Sequence, residues 1–264
     1  MTDAPAIALR DVGKVFVRDD GAAVNVLDGV SLDIARGSFV CLVGRSGSGK
    51  STILNMIAGL IEPSSGTIGF ADGVTKRPRL DIGYMTQKET LLPWLDVLRN
   101  VALPLEVRGV AKSPRETKAR DLLRVVGLSD AEKRYPRELS GGMARRASLA
   151  RMLASDPALL LLDEPFGALD AQLRGELQTE LLRLWAGSGK TIVFVTHDID
   201  EALILADRVI VLQSGGRIAV DVGVDVPRPR GGRDVRRSPA FLDMHDLFLD
   251  ALGSDPQATA AVPA

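Results

Sequence analysis

The spacing of hydrophobic and polar positions along the chain distinguishes predicted strands from predicted helices. Short apolar or alternating runs, which are typical of strands, cover residues 7–17, 26–35, 39–43, 67–70, 80–85, 159–162, 191–195 and 209–212. Apolar residues recur at helical spacing over residues 52–58, 96–154, 173–184 and 199–206. Strands that alternate with helices predict an α/β fold. The wholly apolar run at 159–162 predicts a strand covered on both faces, as in parallel sheets.

Turn residues and a long helical segment predict how the chain is organised. An Asp-Asp-Gly turn at residues 19–21 joins the first two predicted strands. We expect a core formed by residues 7–88 and 159–225, with a helical subdomain inserted at 89–158. The sequence contains no internal repeat, so residues 1–264 are expected to form a single domain.

Residues 226–264 form a tail of different composition. The stretch Pro-Arg-Pro-Arg-Gly-Gly-Arg at 227–233 predicts a loop. Four apolar residues after it are spaced to line one face of a helix: Phe241, Met244, Phe248 and Ala251. The last ~10 residues are rich in small residues and proline, and they predict a disordered end.

Composition excludes several classes of protein. The chain has 33 basic and 34 acidic residues and a net charge of −1, which gives no basis for nucleic-acid binding through bulk charge. One cysteine, Cys41, excludes an internal disulfide and is typical of a reducing compartment. The first residues show no secretory signal, and the longest apolar run, 158–162, is far shorter than the ~20 residues that span a bilayer. We therefore expect a soluble protein that reaches membranes only through a partner.

Residues 44–51, Gly-Arg-Ser-Gly-Ser-Gly-Lys-Ser, fit the phosphate-loop pattern G-x-x-x-x-G-K-[ST] without a mismatch. A predicted strand precedes them and a predicted helix follows, as the motif requires; a chance Gly/Ser loop lacks this context. Backbone amides of the loop and the helix N-terminus bind phosphate oxygens. The candidate nucleotide-binding residues here are Gly44, Arg45, Ser46, Gly47, Ser48, Gly49, Lys50, Ser51 and Thr52. Lys50 is expected to reach the β- and γ-phosphates, and Ser51 to bind magnesium.

Asp163 and Glu164 close the apolar strand at 159–162. Two adjacent carboxylates at the end of a buried strand are costly unless a cation compensates them. A magnesium ion bound to ATP provides that compensation. Asp163 is then expected to hold the metal through water, and Glu164 to act as the general base on the attacking water. The alternative is a helix N-cap at the strand's end, since Pro165 suits a first helical turn.

Ser140, Gly141 and Gly142 precede a predicted helix, and by themselves they indicate only an N-cap. Together with the phosphate loop, this segment resembles the signature of ATP-binding-cassette (ABC) ATPases. The chain resembles the ATPase subunit of ABC transporters over about residues 7–225. The resemblance implies a P-loop NTPase core of the RecA-like type with an antiparallel β subdomain and an inserted α-helical subdomain. It also implies a head-to-tail dimer, in which the signature segment binds the γ-phosphate held by the second subunit.

The same resemblance implies roles for four further residues. Phe16 stands where the family has an aromatic residue that stacks on adenine, although a core strand residue is the alternative. Gln87 corresponds to the Q-loop glutamine, a catalytic residue and magnesium ligand. Asp170 corresponds to the D-loop aspartate at the nucleotide. His197 corresponds to the switch histidine that contacts the γ-phosphate, with a simple turn histidine as the alternative.

Finer resemblance indicates the nitrate/sulfonate/taurine group of importers. Residues 87–94 and 165–170 are similar to that group, as is Met143 where most cassettes carry Gln. The group usually continues with Arg-Gln-Arg, whereas residues 144–146 are Ala-Arg-Arg. The resemblance implies a homodimeric ATPase on the cytoplasmic face of the inner or plasma membrane, with permease subunits and, indirectly, a solute-binding protein as partners. Residues 91–94 are a candidate anchor for the permease, with buried core as the alternative.

Three alternatives from other classes remain open. An exporter ATPase shares the catalytic motifs, and a neighbouring gene for a solute-binding protein would argue against it. A soluble ABC ATPase that acts on DNA or ribosomes requires a long coiled-coil insertion or a second cassette, and the sequence contains neither. A small-molecule kinase would have the phosphate loop but not the Ser-Gly-Gly segment, which this chain carries at residues 140–142.

Overall fold

The computed structural model describes residues 4–71, 73, 81–88, 90–167 and 169–254. Four features expected from the sequence therefore lie outside the described residues: Leu80 at the start of a predicted strand, Glu89, Ala168 and the last ten residues. The chain divides into two units, one formed by residues 1–80 and 189–264 and the other by 81–188. The boundaries 7–88, 89–158, 159–225 and 226–264 stay a prediction. None of the helices in the described ranges is long and apolar enough to cross a bilayer.

Strands and helices follow one another in the alternating order that the hydrophobic pattern predicts. The strands are β1 (Ile7–Val17), β2 (Ala23–Ile34), β3 (Phe39–Gly44), β4 (Ser65–Phe70), β5 (Ile82–Met85), β6 (Leu159–Asp163), β7 (Thr191–Thr196), β8 (Arg208–Leu212) and β9 (Ile218–Gly223). The α-helices are α1 (Lys50–Ile57), α2 (Val97–Val107), α3 (Lys112–Val125), α4 (Gly141–Ala154), α5 (Ala171–Trp185), α6 (Ile199–Leu205), α7 (Arg233–Arg236) and α8 (Pro239–Gly253). Short 3₁₀ turns lie at Ser129–Ala131, Pro136–Glu138 and Ser214–Gly216.

The first unit contains two sheets. β2, β1 and β4 form an antiparallel sheet with β1 in the centre, which agrees with the expected β subdomain. In the second sheet β3 lies between β7 and β8 and is parallel to both. Every residue of β3 and β7 is buried, as expected for parallel strands covered on both faces. β9, which the sequence analysis did not predict, pairs antiparallel with β8.

The second unit combines a strand pair with a group of helices. β5 and β6 are parallel neighbours in which Tyr84 faces Leu161. Helices α2, α3 and α4 pack on one another, and α4 also contacts β5. The breaks between these helices fall at Gly109, at Gly127 and before Pro136. The positive φ angles of both glycines, 77° and 65°, explain the breaks, because other residues rarely adopt this conformation.

The described part of the C-terminal tail, residues 226–254, packs within the first unit. Phe241 and Phe248 of α8 are buried, as the predicted helical face requires, and α8 contacts α6 and β8. The predicted loop at 227–233 has no regular structure up to Gly232, yet Arg230 within it is 4% exposed. The Arg230 guanidinium donates to the carbonyls of Leu203 and Ala206, at the end of α6, and to those of Val224 and Val226. Burial lowers the pKa of Arg230 to about 10, so the side chain remains charged at neutral pH.

Candidate nucleotide-binding residues

The phosphate loop lies where a buried strand ends and a helix begins. β3 ends at Gly44, α1 begins at Lys50, and the loop between them belongs to the first unit. Arg45, Ser46 and Gly47 are exposed, whereas Ser48 and Gly49 are buried. Ser51 and Thr52 form the first turn of α1 and are half-buried. The exposed tip and the helix start are the parts of such a loop that bind phosphate oxygens.

Gly49 illustrates why the loop requires glycine. It is the residue before α1, and its φ of 91° lies in the left-handed region, which favours glycine. A Cβ atom built on Gly49 would collide with the side chain of Leu27 in β2. Conformation and space therefore both exclude a larger residue here.

Lys50 is held by the loop that it terminates. The side chain is buried, and its Nζ donates to the carbonyl oxygens of Gly44 and Arg45, each at 2.8 Å. A longer contact of 3.4 Å joins Nζ to the Ser48 hydroxyl. The ammonium group thus lies within the loop, where it can act as a point charge on phosphate oxygens.

His197 follows a strand that is adjacent to the strand before the phosphate loop. In the parallel pair of β3 and β7, Val43 faces Thr196. The phosphate loop, which starts at Gly44, and His197 therefore both lie at the carboxyl ends of their strands. Ligands of α/β sheets bind at these ends. The turn that carries the exposed His197 is fixed by the Thr196 hydroxyl, which donates to Glu201 at 2.7 Å and accepts the backbone N–H of Asp198 at 3.0 Å.

Phe16 is a surface residue of β1 rather than a core residue. Its side chain is 40% exposed, and the Lys14 ammonium lies 5.0 Å from the ring centroid, which is a cation–π distance. An exposed aromatic ring is available for stacking on a planar base. The exposure removes the alternative that Phe16 belongs to the core, while stacking on adenine stays a prediction.

The two carboxylates at the end of β6 lie in the second unit and differ in environment. Asp163 is the last residue of the strand and only 3% exposed, whereas Glu164 is half-buried. Burial, followed by the charge of Asp163, raises the pKa of the Tyr84 phenol well above its usual value. Glu164 has a φ of 46°, a left-handed conformation that costs a non-glycine residue about 1–3 kcal/mol and is frequent at functional sites.

The structure brings together two of the predicted catalytic residues. Gln87 follows β5, and its side-chain Nε2 lies 3.4 Å from the Glu164 Oε2 as a long hydrogen bond. The Gln87 side chain is exposed. An amide beside a carboxylate can orient it and can also offer a hard oxygen ligand.

Ser140 and Asp170 each start a helix of the second unit. Ser140 is the N-cap of α4, and its hydroxyl accepts the Met143 N–H at 3.3 Å. Asp170 is the N-cap of α5, and its carboxylate accepts the Leu173 N–H at 3.0 Å. Gly141 and Gly142 form the first turn of α4. The N-cap alternative for the signature segment is thus observed, and it leaves the exposed helix start of α4 able to bind an anion.

Arg145 is a residue of this region that the sequence analysis did not assign to the site. It stands in α4 and is 5% exposed, among the small buried residues Ala144, Ala147 and Ser148. Its guanidinium donates to backbone carbonyls on both sides of the Gln87–Glu164 contact. The sequence signal was the departure already noted, an arginine at 145 where the nitrate/sulfonate/taurine group usually has Gln.

The residues predicted to bind magnesium carry oxygen donors, which the ion prefers. Within the described ranges no group of three His, Cys, Asp or Glu side chains is placed to hold a metal ion on its own. Magnesium typically takes one or two protein oxygens and completes its shell with waters and substrate phosphates. The hydroxyl of Ser51, the amide of Gln87 and the carboxylate of Asp163 are hard oxygen ligands of the required kind.

Comparison with known proteins decides the family. The profile of the ABC transporter family matches residues 27–167, more than half of the chain. The chain belongs to the ABC transporter family. It is an ABC ATPase, which binds ATP, and the resemblance inferred from the phosphate loop and the signature segment is confirmed.

Individual relatives of this ABC ATPase cover nearly all of it. It is 44% identical to the taurine import ATP-binding protein TauB of Sinorhizobium fredii, across 91% of this chain and 93% of that protein. It is 42% identical to the nitrate import ATP-binding protein NrtC of Synechococcus elongatus, across 96% of this chain but only 39% of that longer protein. The ABC cassette MJ0796, solved as a dimer in a post-hydrolysis state with ADP and Pi, has a TM-score of 0.76 and 33% identity, across 82% of this chain and 98% of that one. This similarity confirms the α/β P-loop NTPase fold.

Proposed function

We propose that this ABC ATPase is the ATP-hydrolysing subunit of an importer for a small solute such as nitrate, taurine or another sulfonate. The similarity to taurine and nitrate import ATP-binding proteins over more than nine-tenths of the chain carries the proposal. The phosphate loop and the contact between Gln87 and Glu164 supply the chemical basis for hydrolysis.

Hydrolysis is an in-line attack of water on the γ-phosphorus of ATP, in which the bond to the β,γ-bridging oxygen breaks and ADP leaves. Glu164 accepts the proton of the attacking water, and Gln87 holds the carboxylate of Glu164 in place. Lys50 and the amides of the phosphate loop bind the β- and γ-phosphate oxygens. Their charge stabilises the transition state.

Ser51, Gln87 and Asp163 are the residues that we assign to magnesium. The ion, when bound with ATP, neutralises the charge that develops on the phosphate oxygens. The buried position of Asp163 at the end of β6 suits a carboxylate that binds the ion through water.

A second copy of the chain completes each nucleotide site. Ser140, Gly141 and Gly142, at the start of α4, are assigned to the γ-phosphate of ATP bound by the partner, and Asp170 to the same nucleotide. Phe16 stacks on the adenine. His197 contacts the γ-phosphate and senses its loss. Closure of the dimer on ATP follows if the closed state makes more phosphate contacts than the open state.

The loop at residues 91–94 is the surface that we assign to the membrane partner. Trp94 is 69% exposed. The wholly buried Asn100 fixes the backbone beneath it, because its side chain accepts the Leu92 N–H at 2.8 Å and donates to the Leu95 carbonyl at 2.9 Å. An exposed aromatic residue on a rigid loop is a typical interface anchor. The protein then works on the cytoplasmic face of the inner or plasma membrane, bound to permease subunits that receive solute from a binding protein.

Reconstitution with the membrane subunits tests the proposal. Proteoliposomes that contain the complex are expected to take up taurine or nitrate only when ATP and magnesium are supplied on the side of the ATPase. The Trp94→Ala variant is expected to hydrolyse ATP alone but to lose transport. Solute movement in the opposite direction, away from the binding protein, would instead show an exporter.

A further inference from the structure

Arg145 uses every donor of its side chain on the backbone of two segments that carry predicted catalytic residues. A guanidinium has five N–H groups. In Arg145, Nε donates to Pro165 O at 3.0 Å. Nη1 donates to Thr86 O at 2.8 Å and Gln87 O at 2.7 Å, and Nη2 donates to Asp163 O at 2.7 Å and Glu164 O at 2.6 Å.

The acceptors fall into two groups that no local interaction would bring together. The carbonyls of residues 86–87 follow β5, and those of residues 163–165 follow β6. Arg145 itself lies in α4, five residues after the N-cap Ser140. A single buried side chain thus joins the strand end that bears Gln87, the strand end that bears Glu164, and the helix that begins with the signature segment.

We infer that Arg145 is a positioning residue for ATP hydrolysis: it fixes the backbone at Glu164 and Gln87, so that the carboxylate meets the water in a productive geometry. The inference rests on the proposed role of Glu164. The left-handed conformation of Glu164, with φ at 46°, persists only when its surroundings determine it. The hydrogen bond from Nη2 to the carbonyl of that residue is one such constraint.

Only arginine can make this set of bonds. Its planar fork offers five donors in fixed directions, whereas lysine offers three on one atom and glutamine two. A shorter or less branched side chain must leave at least two of the five carbonyls without this donor. A second arginine of α4, Arg151, donates to the backbone carbonyl and the hydroxyl of Thr90. Residues 86–87 and Thr90 are therefore each held to α4, the former by Arg145 and the latter by Arg151.

The test compares Arg145→Met with the matched control Arg146→Met. Arg146, the next residue of α4, donates to the carbonyls of Val126 and Gly127, far in sequence from residues 86–87 and 163–165. For Arg145→Met we expect kcat to fall by about 10²-fold, the effect of an ångström of misplacement. The Kd for ATP should stay within threefold of the wild-type value, since the phosphate loop keeps its contacts. The number of ATP molecules bound per chain should be unchanged. Arg146→Met should keep kcat within threefold.

Amide hydrogen exchange separates positioning from a general loss of structure. In Arg145→Met, peptides that cover residues 84–88 and 161–167 should exchange faster, and peptides that cover 39–58 should be unchanged. Arg145→Lys, which keeps three donors, should recover part of kcat. If Arg145→Met does not fold, Arg145→Lys must show a lowered kcat at unchanged Kd.

Two results overturn the inference. One is that Arg145→Met has the same kcat as Arg146→Met. Where Arg145→Met does not fold, the same kcat in Arg145→Lys and Arg146→Met counts instead. The other is an equal loss of kcat and of ATP-binding stoichiometry, which indicates a structural role alone. Failure of the proposed function looks different: Glu164→Gln then hydrolyses ATP at the normal rate, whatever happens at position 145.

Discussion

Asp163 and Glu164 are adjacent in sequence but differ in surroundings. The Asp163 carboxylate lies in the interior at the end of β6. Burial of Tyr84 and then the charge of Asp163 raise the pKa of the Tyr84 phenol. Glu164 is half-buried, with its side chain next to the amide of Gln87. A buried carboxylate suits metal binding through water, whereas a partly exposed one can take a proton from a water molecule. The two environments thus fit the two roles.

Glu164→Gln should separate ATP binding from hydrolysis. Glutamine keeps the shape of the side chain but cannot accept a proton, so we expect kcat to fall at least ~100-fold. ATP should still bind, and the ATP-bound dimer should accumulate, which size-exclusion chromatography with ATP would show. Glu176→Gln, on the exposed surface of α5, is the control and should keep the wild-type rate. Wild-type turnover by Glu164→Gln would contradict the role of general base.

Lys50→Ala should weaken ATP binding as well as turnover. A charge-assisted hydrogen bond contributes about 1.5–3 kcal/mol, so we expect a Kd for ATP that is roughly 10- to 100-fold higher. Calorimetric titration at matched magnesium concentration measures the change. Lys112→Ala, which removes an exposed lysine at the start of α3, should leave the Kd unchanged. An unaltered Kd in Lys50→Ala would exclude the assigned contact with phosphate.

At the scale of helices and strands, the hydrophobic pattern predicted most of the fold. β1, β3, β6, α5 and α8 lie within a few residues of their predicted bounds, because each has a buried face or a wholly buried run. β9 was missed. Its residues alternate between half-buried and exposed, with Ile218, Val220 and Val222 at the half-buried positions. This alternation is a strand signal, and the interpretation of the sequence passed over it.

The contacts of buried arginines could not be predicted from the sequence. Arg145 and Arg230 both bind backbone carbonyls. Every residue has a carbonyl, so nothing in the sequence shows which ones accept. The phosphate loop and the carboxylates at residues 163–164 were found because their chemistry requires particular side chains at fixed spacing. Arginine–carbonyl contacts depend instead on tertiary structure.

Arg230→Met should destabilise the protein through the end of α6. The substitution leaves four carbonyls without their donor, and we expect a loss of about 3 kcal/mol, which corresponds to a Tm lower by roughly 6–12 °C for a chain of this size. Differential scanning calorimetry measures it. Arg236→Met, which removes an exposed ion pair to Asp200 at 3.5 Å, should cost less than ~1 kcal/mol. Equal Tm shifts for both variants would contradict a role for Arg230 in holding α6.

At the scale of the molecule, the candidate residues are divided between the two units. The phosphate loop, Phe16 and His197 belong to the first, whereas Gln87, residues 163–164 and Ser140 belong to the second. Each unit therefore carries only part of the proposed chemistry. A dimer in which the signature segment of one chain acts on ATP bound by the other distributes that chemistry over two chains as well.

A cross-link tests this dimer. Cysteines that replace Ser46 and Ser140, both exposed, should form a disulfide between two chains when ATP is bound in a Glu164→Gln background. Non-reducing electrophoresis detects the linked dimer. The native Cys41 is buried, and burial raises the pKa of its thiol, so it should not compete. A bond within one chain, or no bond in a sample that is dimeric by light scattering, would contradict the head-to-tail arrangement.

The exposure of Trp94 also has a spectroscopic consequence. The chain has two tryptophans, Trp94 and Trp185, and both lie in the second unit. Fluorescence excited at the red edge of indole absorption therefore reports on the second unit, while the first unit, which contains the phosphate loop, does not contribute to the signal. Trp94 is 69% exposed and should emit at long wavelength. In a Trp185→Phe background, a blue shift on addition of the permease would register its docking without any attached dye.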